Sequence, residues 1–378
     1  MTEETARRHE ERGDARAAST EPETRPDEGA AATLKSVDDL VAAKLLEPAQ
    51  APALRKVEAR YSVAVTPEIA ALIDPADPRD PIARQFLPDM RELVTRPEER
   101  ADPIGDDAFS PTDGLVHRYP DRVLLKLLSA CPVYCRFCFR RESVGLGKGA
   151  LSDEALARAL AYVAENPKIF EVILTGGDPL ALSARRLRAV SERLATIDHV
   201  AVLRIHTRAP TAAPRLATRE RLEALTASGK TVYMVLHVNH ARELTPRALA
   251  AVRRIQEAGV ATLAQTVLLR GVNDDADALE RLMRGLVAAR IKPYYLHHPD
   301  LAPGTAHFRL TIEQGRALHA ELARRVSGLA LPAYVLDIPG GFGKVPLQEA
   351  HVERDADGDW LARDRSGRTH AYPGDRMI

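Results

Sequence analysis

The sequence predicts an α/β fold in which helices cover a parallel β-sheet. Between residues 122 and 328, apolar runs of strand length alternate with runs of helical spacing. Six strands, each followed by a helix, are typical of a parallel sheet, because parallel neighbours need a crossover connection. The pattern fits a doubly wound sheet or an incomplete barrel, and both place functional groups at the carboxyl ends of the strands.

Four segments follow one another along the chain. Residues 1–35 carry almost no large apolar side chain, which predicts a disordered tail because little surface can be buried. Residues 36–115 open with a capping Ser36 and apolar residues at helical spacing, which predicts an N-terminal helical layer. Residues 116–329 hold the strand–helix core, and residues 330–378 form a C-terminal segment with one further strand-like run, AYVLDIPGGFGK.

The core is predicted element by element from its apolar runs. The predicted strands are 122–128, 171–177, 200–207, 231–238, 261–269 and 292–298. The predicted helices are 153–166, 182–197, 218–229, 245–259, 275–290 and 311–328. Several helices begin at Ser, Thr or Asp and end at Gly, the residues favoured at those ends. The chemically unusual stretches follow strands: Cys131 after the first, then GGDP, HTR and HVNH, and HHPD after the sixth.

Composition excludes several classes of protein. Lys plus Arg and Asp plus Glu both number 53, so no global field attracts nucleic acid or an anionic membrane. No apolar run approaches the roughly 18 residues of a membrane span, and the N-terminus lacks the apolar part of a signal peptide. Three clustered cysteines do not make a disulfide framework. We therefore expect a cytoplasmic protein.

All three cysteines lie in one stretch, CPVYCRFCFRR, at positions 131, 135 and 138. Pro132 and the preceding strand favour a loop. Three thiolates on a short loop can hold a [4Fe–4S] cluster and leave one iron without a protein ligand, where a small molecule could coordinate. Spacing alone leaves two other interpretations open: a zinc site completed by a histidine such as His117 or His297, or three core thiols.

The CxxxCxxC stretch after the first strand resembles the signature of the radical S-adenosylmethionine (SAM) superfamily. The resemblance implies a partial (βα)6 barrel of the TIM type and a [4Fe–4S] cluster whose open iron is chelated by SAM. TGGDPL, after the second strand, is similar to the glycine-rich segment that receives SAM in that family, which implies SAM contacts for Gly176, Gly177 and Asp178.

Three other stretches, GLVHRYPDRVLL, KPYYLHHPDLAPGTAHFR and YVLDIPGGFGKVPL, resemble the lysine 2,3-aminomutase family of that superfamily, and the likeness runs from about residue 36 to about 350. This resemblance implies pyridoxal 5′-phosphate (PLP) as a further cofactor. It also implies an isomerase that converts L-lysine to L-β-lysine by 1,2-amino migration through an external aldimine radical. A flavodoxin or ferredoxin is the implied electron donor.

The same resemblance implies roles for further residues. Lys344 would hold PLP as a Schiff base, and Arg118 and Arg122 would bind its phosphate. Arg140 would bind the substrate carboxylate. The remaining residues are Asp300 and Asp337 for the distal ammonium of the substrate, and His237 and Gln265 near SAM. Each also has an ordinary alternative, such as a turn aspartate, a surface ion pair or a hydrogen-bonded core histidine.

The chain departs from the family pattern in one respect. Pro299 precedes Asp300, and no cysteine follows Cys138, so the cysteine zinc site between subunits that many relatives carry is missing. A homo-oligomer would have to form without it. Four rival functions remain. Two use the same chemistry: arginine 2,3-aminomutation and β-lysine synthesis linked to elongation factor P. The others are a radical SAM enzyme that has lost PLP and an iron–sulfur electron-transfer or metal-binding protein without radical catalysis.

Overall fold

Nine strands form one sheet in the computed structural model, which describes residues 32–145, 149–348, 351–355, 360–364 and 367–372. Their order in the sheet is their order in the chain. The strands are β1 Leu115–Tyr119, β2 Arg122–Leu128, β3 Glu171–Gly176, β4 Val202–Thr207, β5 Thr231–His237, β6 Ala261–Val267, β7 Lys292–His297, β8 Ala333–Asp337 and β9 Lys344–Pro346. Strands β2 to β8 are parallel, whereas β1 and β9 pair antiparallel at the two edges.

The six predicted strands correspond to β2–β7, and the α/β prediction is confirmed. β8 is the strand-like run of the C-terminal segment and extends the parallel sheet. The sequence analysis did not predict the edge strands β1 and β9. Both are short, and their pairing partners lie directly across a turn from them, as Tyr119 opposite Arg122 illustrates.

The sheet curls into a partial barrel, as expected. Arg204 on β4 donates to the hydroxyl of Tyr294 on β7 over 3.5 Å, across the concave face. At the open side, the backbone N–H of Lys344 on β9 donates to the hydroxyl of Tyr119 on β1 over 2.8 Å. Strands that are far apart in the sheet order therefore meet around a common interior.

Helices cover the convex face of the sheet. They are α5 Asp153–Glu165, α6 Ala184–Ala195, α7 Ala209–Ala212, α8 Arg219–Thr226, α9 Pro246–Glu257, α10 Ala276–Ala288 and α11 Ile312–Arg325. All except α7 begin after a Ser, Thr or Asp whose side chain accepts a backbone hydrogen bond, and each such cap is worth about 1 kcal/mol. Strand residues alternate: Leu125, Leu174 and Leu203 join the core under the helices, so Lys126 and Thr175 face the interior.

The N-terminal segment forms a layer of short helices. They are α1 Val37–Ala42, α2 Ala51–Glu58, α3 Pro67–Ala70 and α4 Pro81–Phe86, with 3₁₀ turns at Pro48–Gln50, Met90–Leu93 and Asp107–Phe109. Val133 and Tyr134 of the cysteine stretch pack into the two apolar clusters of this layer. The layer is therefore built around the cysteine loop.

The tail predicted to be disordered, residues 1–35, lies almost wholly outside the described residues. Leu34 pairs with Val65 in a short bridge. At the other end of the chain, a small antiparallel sheet consists of β10 Val352–Arg354, β11 Trp360–Arg363 and β12 Thr369–Tyr372. Within the described ranges, no helix has both the length and the apolarity to cross a membrane.

Candidate active site

The three cysteines lie on the loop after β2, at the carboxyl end of the sheet. Their side chains are partly exposed and form no disulfide. Loss of surrounding water raises the pKa of all three thiols, to about 11 for Cys135. Metal binding at these sulfurs must therefore displace protons, and the charge of the metal supplies the driving force.

Mononuclear metal binding was the alternative interpretation of this loop. In the described part of the chain, no three His, Cys, Asp or Glu side chains converge on a single-ion site. His117 bonds to the hydroxyl of Tyr162 over 2.9 Å, and His297 lies 3.6 Å from Asp337. A [4Fe–4S] cluster distributes three cysteines over three irons, so its ligands need not converge on one point.

Two arginines of the cysteine stretch are buried and structural. Arg136 donates to both carboxylate oxygens of Glu92, at 2.6 to 3.1 Å, and to the carbonyl of Ser62 at 2.7 Å. Arg141 also donates to Glu92. All three charged side chains are fully buried. Sequence analysis missed this cluster, because Glu92 lies far from the loop in the chain.

The GGDP segment after β3 fits closely against the start of the cysteine loop. The amide of Gly177 donates to the carbonyl of Leu128 over 2.6 Å, and that of Asp178 to Ala130 over 2.9 Å. The buried Asp178 carboxylate accepts from four groups at 2.7 to 3.0 Å: the hydroxyl of Thr207 and the amides of Leu180, Arg208 and Ala209. These contacts fix the carboxyl ends of β2, β3 and β4 relative to one another.

We expect Gly177→Ala to disturb the cysteine loop. A Cβ at this position would lie 2.1 Å from the carbonyl oxygen of Ala130, so the loop backbone must move. The variant is expected to bind substantially less iron and sulfide per chain than the wild type on anaerobic reconstitution. Gly328→Ala is the matched control, since its Cβ meets no atom within 4 Å. Wild-type iron content in Gly177→Ala would contradict the steric argument.

Arg140 is the one arginine of the stretch that faces the interior. Its guanidinium donates to Asp106 at 2.9 Å and to the hydroxyl of Thr175 at 3.2 Å. The second oxygen of Asp106 accepts from Arg118 over 2.9 Å. Burial alone would raise the pKa of Asp106, but Arg140, Lys126 and Arg118 outweigh it and hold that pKa below its usual range. Asp106, which sequence analysis missed, thus holds two predicted ligand-binding arginines side by side.

Lys344 and Asp337 lie opposite each other on β9 and β8. The ammonium of Lys344 donates to Asp337 over 2.5 Å, and its side chain is 31% exposed. The second oxygen of Asp337 lies 3.6 Å from His297. Burial would raise the pKa of Asp337, yet His297 and Lys344 hold it well below its usual range.

Asp300 shares this interior. Burial and the charge of Asp337 raise the pKa of Asp300 to about 7, and Lys344 and Arg140 act in the opposite direction. The carboxylates of Asp300 and Asp337, the ammonium of Lys344 and the guanidinium of Arg140 therefore lie within electrostatic reach of one another.

Arg122 lies farther from the cysteines, at the amino end of β2. Its guanidinium stacks on the ring of Tyr119 at 3.8 Å and donates to Asp121 over 2.7 Å. Because the hydroxyl of Tyr119 accepts from the amide of Lys344, Arg122, Tyr119 and Lys344 form a row along the open side of the barrel.

His237 and Gln265 are register neighbours on β5 and β6. The ring of His237 packs edge-on against Phe137 of the cysteine stretch, with 5.5 Å between centroids. Burial lowers its pKa well below the usual value, which keeps it neutral. Its buried Nε2 has no partner among the described residues, and the same is true of His206 on β4. These nitrogens can hydrogen-bond a bound molecule.

Comparison with known proteins decides the family. Residues 125–283 match the model of the Radical SAM superfamily. The chain is 36% identical to the L-lysine 2,3-aminomutase of Fusobacterium nucleatum, over 84% of this chain and 75% of that protein. It is 38% identical to the L-lysine 2,3-aminomutase of Clostridium subterminale, over 77% and 70%. The chain belongs to the lysine 2,3-aminomutase family.

Membership confirms several predictions. This aminomutase is an isomerase whose substrate is a small molecule, an amino acid, and it uses a [4Fe–4S] cluster and SAM. The electron-transfer interpretation is thereby superseded. The residues present fit a [4Fe–4S] cluster, since three thiols without disulfide partners lie beside the glycine segment. A glutamate 2,3-aminomutase of Clostridioides difficile is also related, at 33% identity over 78% of this chain and 69% of that protein, so membership alone leaves the substrate open.

Proposed function

We propose that this aminomutase converts L-lysine to L-β-lysine and uses PLP as its further cofactor. The observation that carries the proposal is a pair of neighbouring carboxylates, the buried Asp337 and the partly buried Asp300, in the interior that Arg140 also enters. A substrate with an ammonium at one end and a carboxylate at the other matches these charges.

Asp337 already binds an alkylammonium group, that of Lys344. The Nζ atom of Lys344 lies 2.5 Å from Asp337, so the carboxylate accepts the functional group that a lysine side chain would present. If Lys344 held the cofactor, its ammonium would leave this position, and Asp337 and Asp300 would be available to the substrate. A glutamate side chain would instead add a third carboxylate, and like charges at close range are strongly disfavoured.

Arg140 is the group that would bind the substrate carboxylate. Its guanidinium is held by Asp106 and Thr175, which orients it before the substrate arrives. Pre-ordered donors of this kind lower the cost of binding. Arg140 and the carboxylate pair together select for the length and charge of a basic amino acid.

Residues on the open side of the barrel suit PLP. Lys344 supplies an amine, and Arg122 and Arg118 supply cations for a phosphate. When bound, the cofactor delocalises an unpaired electron of the substrate.

Gly176, Gly177 and the neutral His237 are the proposed SAM contacts. The side-chain oxygens of Asp178 are already satisfied by four donors and its amide donates to Ala130, so its contribution would come from its backbone carbonyl. We propose a flavodoxin or ferredoxin as the electron donor.

Anaerobic reconstitution with iron, sulfide, PLP, SAM and a reductant tests the function. Lysine, arginine, glutamate and ornithine are offered separately, and β-amino products are separated by chromatography. We expect β-lysine as the main product. β-Arginine as the main product would move the assignment to the arginine enzyme, and product from glutamate alone would refute the roles of Asp300 and Asp337.

We expect lysine to bind better as the pH rises through the pKa of Asp300. This pKa is raised to about 7, so below that pH the pocket loses a negative charge and attracts the ammonium less. Accordingly, kcat/KM for lysine should rise up to tenfold per pH unit below the pKa and level off above it. A profile between about pH 6 and 9 measures this. Asp300→Asn should lack the inflection, and an unchanged profile would assign it to another group.

A further inference from the structure

Arg208 lies directly behind the cysteine loop and contacts one of its sulfurs. This residue ends the HTR stretch after β4, and its Nη1 donates to the Sγ atom of Cys135 over 3.5 Å. The side chain is 5% exposed. Neither the sequence analysis nor the family resemblance gave it a role.

Four contacts hold this guanidinium in place. Its Nη2 donates to Glu243 and to Gln85, both over 2.7 Å, while the rings of Phe86 and Phe137 flank it at 4.7 and 5.5 Å. Its backbone amide donates to Asp178 of the GGDP segment over 2.9 Å. The side chain is therefore fixed at both its base and its tip.

The ion pair of Arg208 and Glu243 has a defined orientation relative to the cysteine loop. Glu243 is fully buried and meets Nη2, whereas Nη1 points to the sulfur. The ion pair consequently presents its positive end to Cys135. An N–H group directed at a cluster thiolate, together with a positive charge in a low-dielectric interior, stabilises the reduced and more negative form of the cluster.

We propose that Arg208 is a positioning residue for the cluster, which raises the reduction potential of the [4Fe–4S] centre through its hydrogen bond to Cys135. The step concerned is the one-electron reduction of the oxidised cluster by the external donor. Arg208 exchanges no proton or electron in it. The inference depends on the cluster and not on the identity of the amino acid substrate.

The test is an anaerobic redox titration of the reconstituted protein without SAM, followed by electron paramagnetic resonance. Replacing arginine alone would leave Glu243 buried and unpaired, so the principal variant is Arg208→Met/Glu243→Gln. We expect the equilibrium constant for reduction to fall about tenfold, which lowers the midpoint by about 59 mV for one electron. Arg208→Lys, which keeps the charge but changes the reach to sulfur, should lower it by less.

The matched control is Arg204→Met/Glu171→Gln, an ion pair at the amino end of the interior with 3.0 Å between charged groups. It should leave the midpoint unchanged. An unchanged midpoint in the Arg208 double variant with a full cluster would overturn the proposal. Loss of the cluster from both Arg208 variants would also overturn it, because the residue would then be required for assembly. A change of substrate preference without a change in potential would contradict it as well.

Discussion

Lys344→Ala is expected to abolish covalent attachment of PLP and to reduce aminomutase activity at least about a thousandfold, a loss of about 4 kcal/mol of transition-state stabilisation. The amine of Lys344 is the group that we propose to bind the cofactor covalently. It forms an ion pair with Asp337 at the open side of the barrel. Borohydride reduction followed by mass spectrometry of peptides measures attachment. Iron content should stay at the wild-type value, because the cysteine loop is held by other contacts.

Two further variants separate the covalent role from the ion pair. Lys344→Arg retains a cation near Asp337 but cannot form the covalent bond, so it should be as inactive as the alanine variant. Lys230→Ala removes a lysine whose ammonium donates to the carbonyl of Ile197 and should keep full activity. An active Lys344→Ala variant with PLP attached to another lysine would refute the assignment of Lys344 as the PLP-binding residue.

Asp300→Asn is expected to raise KM for lysine at least 30-fold. Removing one member of a buried charged contact costs about 2–5 kcal/mol, and every 1.4 kcal/mol corresponds to a factor of ten. The side chain keeps its size and its place, so cluster content and PLP attachment should not change. Steady-state kinetics with lysine measure the effect.

The control for Asp300→Asn is Asp274→Asn, in which the carboxylate lost is the acceptor of the Gly271 amide in a loop outside the proposed pocket. It should leave KM for lysine unchanged. An Asp300→Asn enzyme with wild-type KM would show that Asp337 alone recognises the ammonium. Improved turnover of glutamate by the same variant would give independent support to the charge argument.

The parallel core could be predicted because its signals are local. Apolar runs such as 171–177 and caps such as Ser152 act through neighbouring residues, and the structure has both elements within a few positions of the predicted bounds. The short edge strands were missed. β9 spans only Lys344–Pro346 and is exposed throughout, so no periodic pattern of burial marks it in the sequence.

Arg140, Asp300, Asp337 and Lys344 lie near one another, but the partners that hold the arginines in place could not be recognised in the sequence. Asp106, Glu92 and Glu243 each pair with an arginine distant along the chain. A lone acidic residue in a helical or turn segment is most often a solvated surface group. The sequence around such a residue therefore gives no sign that its side chain is buried. Such partners become recognisable only when the fold brings the charges together.

The buried Glu92 makes the N-terminal layer part of the cluster-binding unit. Glu92 comes from the N-terminal layer, and Arg136 and Arg141 come from the cysteine loop. A barrel isolated from its first hundred residues would expose two arginines that have lost their anion, directly beside the iron-binding sulfurs. We therefore expect the minimal unit able to assemble the cluster to include Glu92 and to begin before the first strand.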